Sequence, residues 1–167
     1  MLKPQTTARL ALLCAALLAG AAAPKKSEPG QPVVLRAQPG TPLDATARKL
    51  VADDLAASRT RRDNPLVVVG TADLGGDRPA VFVQLQSEQQ CGSAGCSTSV
   101  YAWERGAWKR VLDGTTGRLK VAAKRTKGHA DLITDAERFV WTGSAYRSTE
   151  PVPALDLRPR PARPGRH

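Results

Sequence analysis

The feature that most constrains the fold is a closely spaced pair of cysteines, Cys91 and Cys96, inside the stretch 81–110. Alternating and β-branched residues flank the pair, which predicts two β-strands joined by a closed loop, followed by a tight turn into a third strand. The Gly-Ser-Ala-Gly spacer is longer than the two-residue spacer of a thioredoxin-like redox motif, and no histidine lies near it in the sequence. We therefore predict a disulfide that fixes the loop, in preference to a metal or redox site.

The beginning of the chain has the features of a secretory signal peptide. Lys3 and Arg9 are followed by an apolar run and then by a group of small residues. The apolar stretch 10–23 is shorter than the ~20 residues of a membrane-spanning helix, and Cys14 lacks the small preceding residue of a lipid-anchor site. We expect residues 1–22 to be cleaved, with no stable membrane anchor and a periplasmic or secreted location. The two remaining cysteines would pair there.

Composition divides the rest of the chain into three parts. Proline and glycine predict a flexible linker over 23–40, and the tail 150–167 is predicted to be basic and disordered, which leaves a single domain at 41–149. The formal net charge of +10 would favour nucleic-acid binding in a cytosolic protein, but export and the scarcity of aromatic residues argue against that. The charge instead suggests affinity for an anionic wall polymer, unless it only reflects an arginine-rich composition.

One helix is expected at the start of the domain. Thr41 and Pro42 are typical of a helix N-terminus, apolar residues then recur at helical spacing through Leu55, and Pro65 ends the segment. Short β-branched runs separated by glycine turns follow, up to Ser148. The predicted fold class is therefore α+β, with one N-terminal amphipathic helix packed on an antiparallel β-meander that carries the disulfide-closed loop.

Two segments of the domain share an aromatic pattern. Trp103-Glu-Arg-Gly-Ala-Trp108 and Trp141-Thr-Gly-Ser-Ala-Tyr146 each hold two aromatic residues on either side of a turn. This spacing places one aromatic side chain on each arm of a hairpin, where the two can pack across the strands. The first hairpin and its surroundings supply the candidate binding residues, which are Tyr101, Trp103, Arg105, Trp108 and Lys109.

The loop Asp73-Leu-Gly-Gly-Asp77, with the strand and the aromatic hairpin that follow it, resembles an FG-GAP or VCBS repeat unit. In those repeats the loop acids often bind calcium, which the resemblance would carry over to Asp73 and Asp77 alone. Gly75 and Arg78 depart from the repeat pattern, and because calcium prefers six to eight oxygen ligands, a plain turn is the alternative. The Cys-Gly-Ser-Ala-Gly-Cys segment, with its following strand, resembles small uncharacterised exported proteins of Gram-negative bacteria, and that likeness implies no function.

Residues that could carry catalysis do not form a known pattern. His129 lies near Asp131 in the sequence, and Ser93 or Ser97 could be a nucleophile, but the chain has no G-x-S-x-G motif. The carboxylates do not suggest a glycosidase pair, and we find no phosphate-binding loop or metal-ligand cluster. We therefore expect no enzymatic activity and no cofactor.

The expected function is that of a non-enzymatic accessory or binding protein of the cell envelope. Its partner would be an unidentified envelope protein or an anionic wall polymer. The alternative is an inhibitor of a secreted hydrolase such as lysozyme, in which Arg105 or Lys109 would face an acidic active site.

Overall fold

The computed structural model describes residues 30–76 and 79–149. The predicted signal peptide and basic tail lie outside these residues. Two short helices and eleven strands are present in the described part of the chain. The helices are α1 (Pro42–Leu50) and α2 (Ala52–Thr60), and the strands are β1 (Gly30–Pro32), β2 (Leu66–Ala72), β3 (Ala80–Gln86), β4 (Cys91–Gly92), β5 (Gly95–Cys96), β6 (Thr98–Glu104), β7 (Ala107–Thr115), β8 (Lys120–Thr126), β9 (His129–Ile133), β10 (Arg138–Trp141) and β11 (Tyr146–Ser148).

The strands form two main antiparallel sheets. The inner sheet has the order β2-β3-β6-β7, and the outer sheet has the order β1-β8-β9-β10-β11. One apolar cluster lies between the helices and the inner sheet, and a second lies between the two sheets. The inner sheet is therefore the middle one of three layers.

The predicted α+β fold, with one helix on one meander, was wrong. The described chain is mostly β, with two sheets in place of one and two short helices in place of one. Sequence alternation identified where strands occur, but it does not state which strands share a sheet. The β3 strand is an example of the middle layer. Phe82 faces the outer sheet while Val81 and Val83 face the helices, so both faces of the strand are buried.

The helical segment begins as predicted and then bends. Thr41 accepts a hydrogen bond from the backbone of Asp44 at 3.1 Å, as expected of an N-cap. At Val51 the backbone leaves the helical region, with φ −110° and ψ 23°. The hydrogen bonds from Val51 to Ala47 and from Leu55 to Val51 still form, so the apolar stripe continues across the bend onto the inner sheet.

Residues placed in the predicted linker contribute to both sheets. The strand β1 pairs with β8 at the edge of the outer sheet. A few residues later, Arg36 and Val69 exchange two backbone hydrogen bonds of 3.0 and 2.9 Å at the edge of the inner sheet. Gly70 permits this close approach, because a Cβ atom at that position would lie 2.4 Å from the carbonyl oxygen of Val34. The segment thus joins the two sheets along one side of the fold.

Candidate functional site

The predicted disulfide is confirmed. Cys91 and Cys96 are bonded, with an S–S distance of 1.99 Å, and face each other across the β4–β5 hairpin. The four residues of its tip, 92–95, are exposed, and no residue of the hairpin belongs to either apolar cluster. The hairpin therefore projects from the fold without filling its core.

Polar side chains hold the base of this hairpin in place. Gln84 donates from its amide nitrogen to the carbonyl oxygen of Cys96 at 3.0 Å. Gln90 donates to the hydroxyl of Ser58 at 2.8 Å, which ties the hairpin to α2. The disulfide and these hydrogen bonds restrain a loop that two glycines would otherwise leave mobile.

Replacing both cysteines with serine is expected to lower the free energy of unfolding by less than ~3 kcal/mol, because the closed loop is short. Chemical denaturation of mature protein measures this loss, with the exposed-tip change Ser93→Ala as the control. Alkylation without reductant should leave Cys91 and Cys96 unlabelled, and labelling of either thiol would contradict the disulfide.

The second exposed feature is the turn between β6 and β7, which we call the aromatic turn (residues 103–108). Arg105 and Gly106 both have positive φ angles, 49° and 83°, as a two-residue hairpin turn requires. Trp103 and Trp108 face each other across the strands, with ring centroids 5.3 Å apart and an interplanar angle of 76°. The sequence predicted this pairing, and the edge-to-face geometry is a favourable one.

The second aromatic hairpin has the same cross-strand pair in a different environment. Trp141 and Tyr146 are paired, with ring centroids 5.2 Å apart, and both are buried between the sheets. Trp103 and Trp108 are only half-buried. One aromatic pair therefore fills the core while the other remains partly on the surface.

Four of the five predicted binding residues lie close to one another, away from the disulfide hairpin. Trp103, Arg105, Trp108 and Lys109 lie at or beside the aromatic turn, where Lys109 forms an ion pair of 3.4 Å with Glu104. The disulfide hairpin lies at the other end of β6, next to Thr98. The strand separates these two features by roughly 20 Å at ~3.3 Å per residue.

Tyr101 belongs to the core. It is 3% exposed and packs beneath the helices, and its hydroxyl accepts a hydrogen bond of 2.9 Å from Arg110. The same guanidinium forms ion pairs with Asp54 of α2 at 2.8 Å and with Asp113 at 3.1 Å. This group ties α2 to the edge of the inner sheet. The sequence gives no signal for it, because Arg110 and Asp54 are 56 positions apart.

The buried tyrosines are expected to make the protein sensitive to alkali. Burial raises the pKa of Tyr101 and of Tyr146, and the nearby Asp131 carboxylate raises the pKa of Tyr146 further. When a tyrosine has a higher pKa in the folded protein than in the unfolded chain, its contribution to stability is fully present below the unfolded-state pKa of about 10. That contribution is lost as the pH rises above this value. The chain has two tyrosines in all.

We therefore expect the tyrosinate absorbance to stay low in the folded protein at pH 10 and to rise together with unfolding, as measured by circular dichroism at matched pH. Tyr146→Phe should reduce the alkaline loss of stability, and Tyr101→Phe is the matched comparison. Titration of both tyrosines near pH 10 without unfolding would contradict their burial.

The predicted calcium loop contains a local hydrogen bond and a neighbouring cation. Asp73 accepts a hydrogen bond of 2.7 Å from the backbone of Gly75, so it forms an Asx-type turn. The Arg125 guanidinium lies beside Gly75, and its charge would oppose a bound cation. Asp77 lies outside the described residues. Among those that are described, no group of three or more acidic, histidine or cysteine side chains could hold a metal ion.

His129 and Asp131 contact different neighbours. The His129 ring stacks on Trp141, with centroids 4.4 Å apart and an interplanar angle of 17°. The Asp131 carboxylate accepts a hydrogen bond of 2.7 Å from Arg138 instead. The two side chains thus have separate structural partners.

Comparisons with protein-family models, curated proteins and solved structures find no match for this chain. The resemblance to FG-GAP repeats therefore stays a prediction. Neither of the two described helices is long and apolar enough to cross a membrane.

Proposed function

We propose that the protein is an exported, non-enzymatic binding protein of the cell envelope and that the aromatic turn is its contact surface. The observation that carries this proposal is the difference between the two aromatic hairpins. Trp141 and Tyr146 are used in the core, whereas Trp103 and Trp108 are half-buried at a strand end. Trp108 also packs against the apolar cluster beneath the helices, and the exposed part of each ring is apolar area that a partner could cover.

The composition of the turn suits a protein partner. Tryptophan and arginine are over-represented among the residues that dominate binding energy at interfaces. Arg105 is exposed at the tip of the turn, and the Lys109–Glu104 ion pair lies on the opposite face of the hairpin from the tryptophans. A partner with an acidic patch would complement Arg105 while covering the aromatic rings.

Export is supported by independent features. The beginning of the sequence has the pattern of a signal peptide, and disulfides persist mainly in oxidising compartments. The Cys91–Cys96 bond is formed in a hairpin that contributes nothing to the apolar clusters. A periplasmic or secreted location agrees with both features.

The test is a pull-down from native periplasm with tagged mature protein. We expect a stoichiometric partner that is retained by wild type and lost with Arg105→Glu. The matched control is Arg147→Glu, which reverses an exposed charge on β11. Co-sedimentation with purified anionic wall polymer tests the polymer partner with the same two variants. Equal retention by both variants, or no partner of either kind, would reject the aromatic turn as the contact surface.

A hydrolase inhibitor is the second candidate, and the disulfide hairpin favours it. A narrow hairpin with four exposed tip residues and a restrained base is suited to entering an active-site cleft. Lysozyme rates measured at increasing concentrations of mature protein should fall, and the Cys91→Ser/Cys96→Ser variant should inhibit less. An unchanged rate with wild-type protein would exclude lysozyme as the target.

A further inference from the structure

A cleft lies on the side of the fold where residues 30–36 join the two sheets. It has a volume of about 600 Å³ and lies between β1 and β8 of the outer sheet and the end of β2 in the inner sheet. Its walls include the small side chains of Ala72, Ala122 and Ala130. This volume is in the range of ligand-binding clefts.

Backbone groups of β1 point towards this cleft. Val33 donates a hydrogen bond of 2.9 Å to the carbonyl oxygen of Leu119, and the strand register places Gln31 opposite Val121. Because hydrogen-bonding direction alternates along a strand, Gln31 pairs with β8 while Gly30 directs its N–H and C=O groups the other way. Pro32 has no N–H and offers only its carbonyl oxygen at that edge. In the described part of the chain, no strand pairs with that edge of β1.

The edge of β2 offers a matching set of groups. Both backbone groups of Val69 bond with Arg36, so they point out of the inner sheet at this edge. Thr71, two residues further on, therefore directs its N–H and C=O groups to the same edge, and it lines the cleft. Thr71 is exposed, and neither group has a backbone partner among the described residues.

Two opposite charges lie at the rim of the cleft. Asp73 and Arg125 both line it, and neither belongs to an ion pair in the described regions. Arg125 donates to the carbonyl oxygen of Gly128 at 3.2 Å, which occupies part of its guanidinium. Its remaining N–H groups can bind a carboxylate that enters the cleft.

We propose that this cleft binds an extended peptide as an added strand between β1 and β2, with small apolar side chains against the alanine walls and a carboxylate at Arg125. Addition of a strand to an open sheet edge uses main-chain hydrogen bonds for affinity and the adjoining pocket for side-chain selection. The bound peptide would join the edges of the two sheets. This surface is separate from the aromatic turn, so the inference goes beyond the proposed binding function and does not depend on it.

The probe is the synthetic peptide acetyl-Val-Thr-Val-Ala-Val with a free C-terminal carboxylate, added to mature protein labelled for NMR. We expect saturable shifts of the Gly30, Thr71 and Arg125 amides. Amidating the C-terminus should weaken binding, and a proline in place of the central valine should abolish it. Arg125→Gln should weaken binding of the carboxylate peptide and leave binding of its amide unchanged.

Thr71→Pro is the decisive variant. It removes one N–H at the cleft edge without touching the β2–β3 ladder, because that N–H points away from β3. We expect about tenfold weaker binding with an unchanged melting temperature. Thr71→Val is the matched control, since it keeps the N–H and should bind like wild type. An unchanged wild-type spectrum at millimolar peptide, or equal binding by both Thr71 variants, would overturn the proposal.

Discussion

Replacing Arg138 with methionine is expected to lower the free energy of unfolding by about 3–5 kcal/mol, because it leaves a buried carboxylate without a counter-charge. Asp131 is 0% exposed, and its Oδ2 atom lies 2.7 Å from a guanidinium nitrogen of Arg138. The other oxygen, Oδ1, is buried and has no hydrogen-bond partner among the described residues. Among the described residues, Arg138 is therefore the group that compensates the buried charge of Asp131.

Urea denaturation at neutral pH measures the effect. Arg147→Met is the matched control, because Arg147 lies on the neighbouring strand and is exposed, and its removal should change stability by less than ~0.5 kcal/mol. The double variant Asp131→Leu/Arg138→Met should recover much of the loss, since replacing both partners removes the uncompensated charge. A loss for Arg138→Met no larger than that for Arg147→Met would contradict the burial of this pair.

Replacing Gly70 with alanine is expected to lower the free energy of unfolding by about 1–3 kcal/mol. The added Cβ would lie 2.4 Å from the Val34 carbonyl oxygen and 3.2 Å from a methyl group of Leu35. Because the first contact is with backbone, rotation of a side chain does not relieve it. The segment 33–36 must move away from β2, which breaks the hydrogen bonds between Arg36 and Val69.

Hydrogen exchange locates this change. The Val69 amide donates to Arg36 at 2.9 Å and should lose protection in Gly70→Ala, while amides that pair β3 with β6 should keep theirs relative to global stability. Gly92→Ala is the control, since a Cβ there meets no atom within 4 Å. Equal stability of the two variants would mean that residues 33–36 do not pack against β2 in solution.

Interactions between residues close in the sequence were predictable. The N-cap of α1, the Cys91–Cys96 bond and both cross-strand aromatic pairs depend on residues a few positions apart, so their spacing already defines their geometry. The location of most strands followed from alternation and glycine turns for the same reason. The cysteine pair was the strongest of these signals, because a disulfide between residues so close in the sequence allows few conformations of the loop between them.

Interactions between distant segments were not predictable. Tyrosine is a residue type that is common at binding surfaces, but in this fold the helices cover Tyr101 and Arg110 donates a hydrogen bond to its hydroxyl. Residues 30–36 are rich in turn-forming residue types. They nevertheless pair with both sheets, because the fold brings the edge strand β8 of the outer sheet and the edge strand β2 of the inner sheet close to this segment. The cleft between β1 and β2 exists only where those edges diverge, so no sequence pattern marks it.

The sequence by itself determined most of the local elements of this protein: the helix start, the positions of most strands, the turns and the disulfide. The tertiary structure alone decided that the strands divide into two sheets, which aromatic pair is buried, and which strand edges stay open. The physical reason is that a strand's alternation specifies which residues share a face, whereas its neighbours depend on the packing of the whole chain.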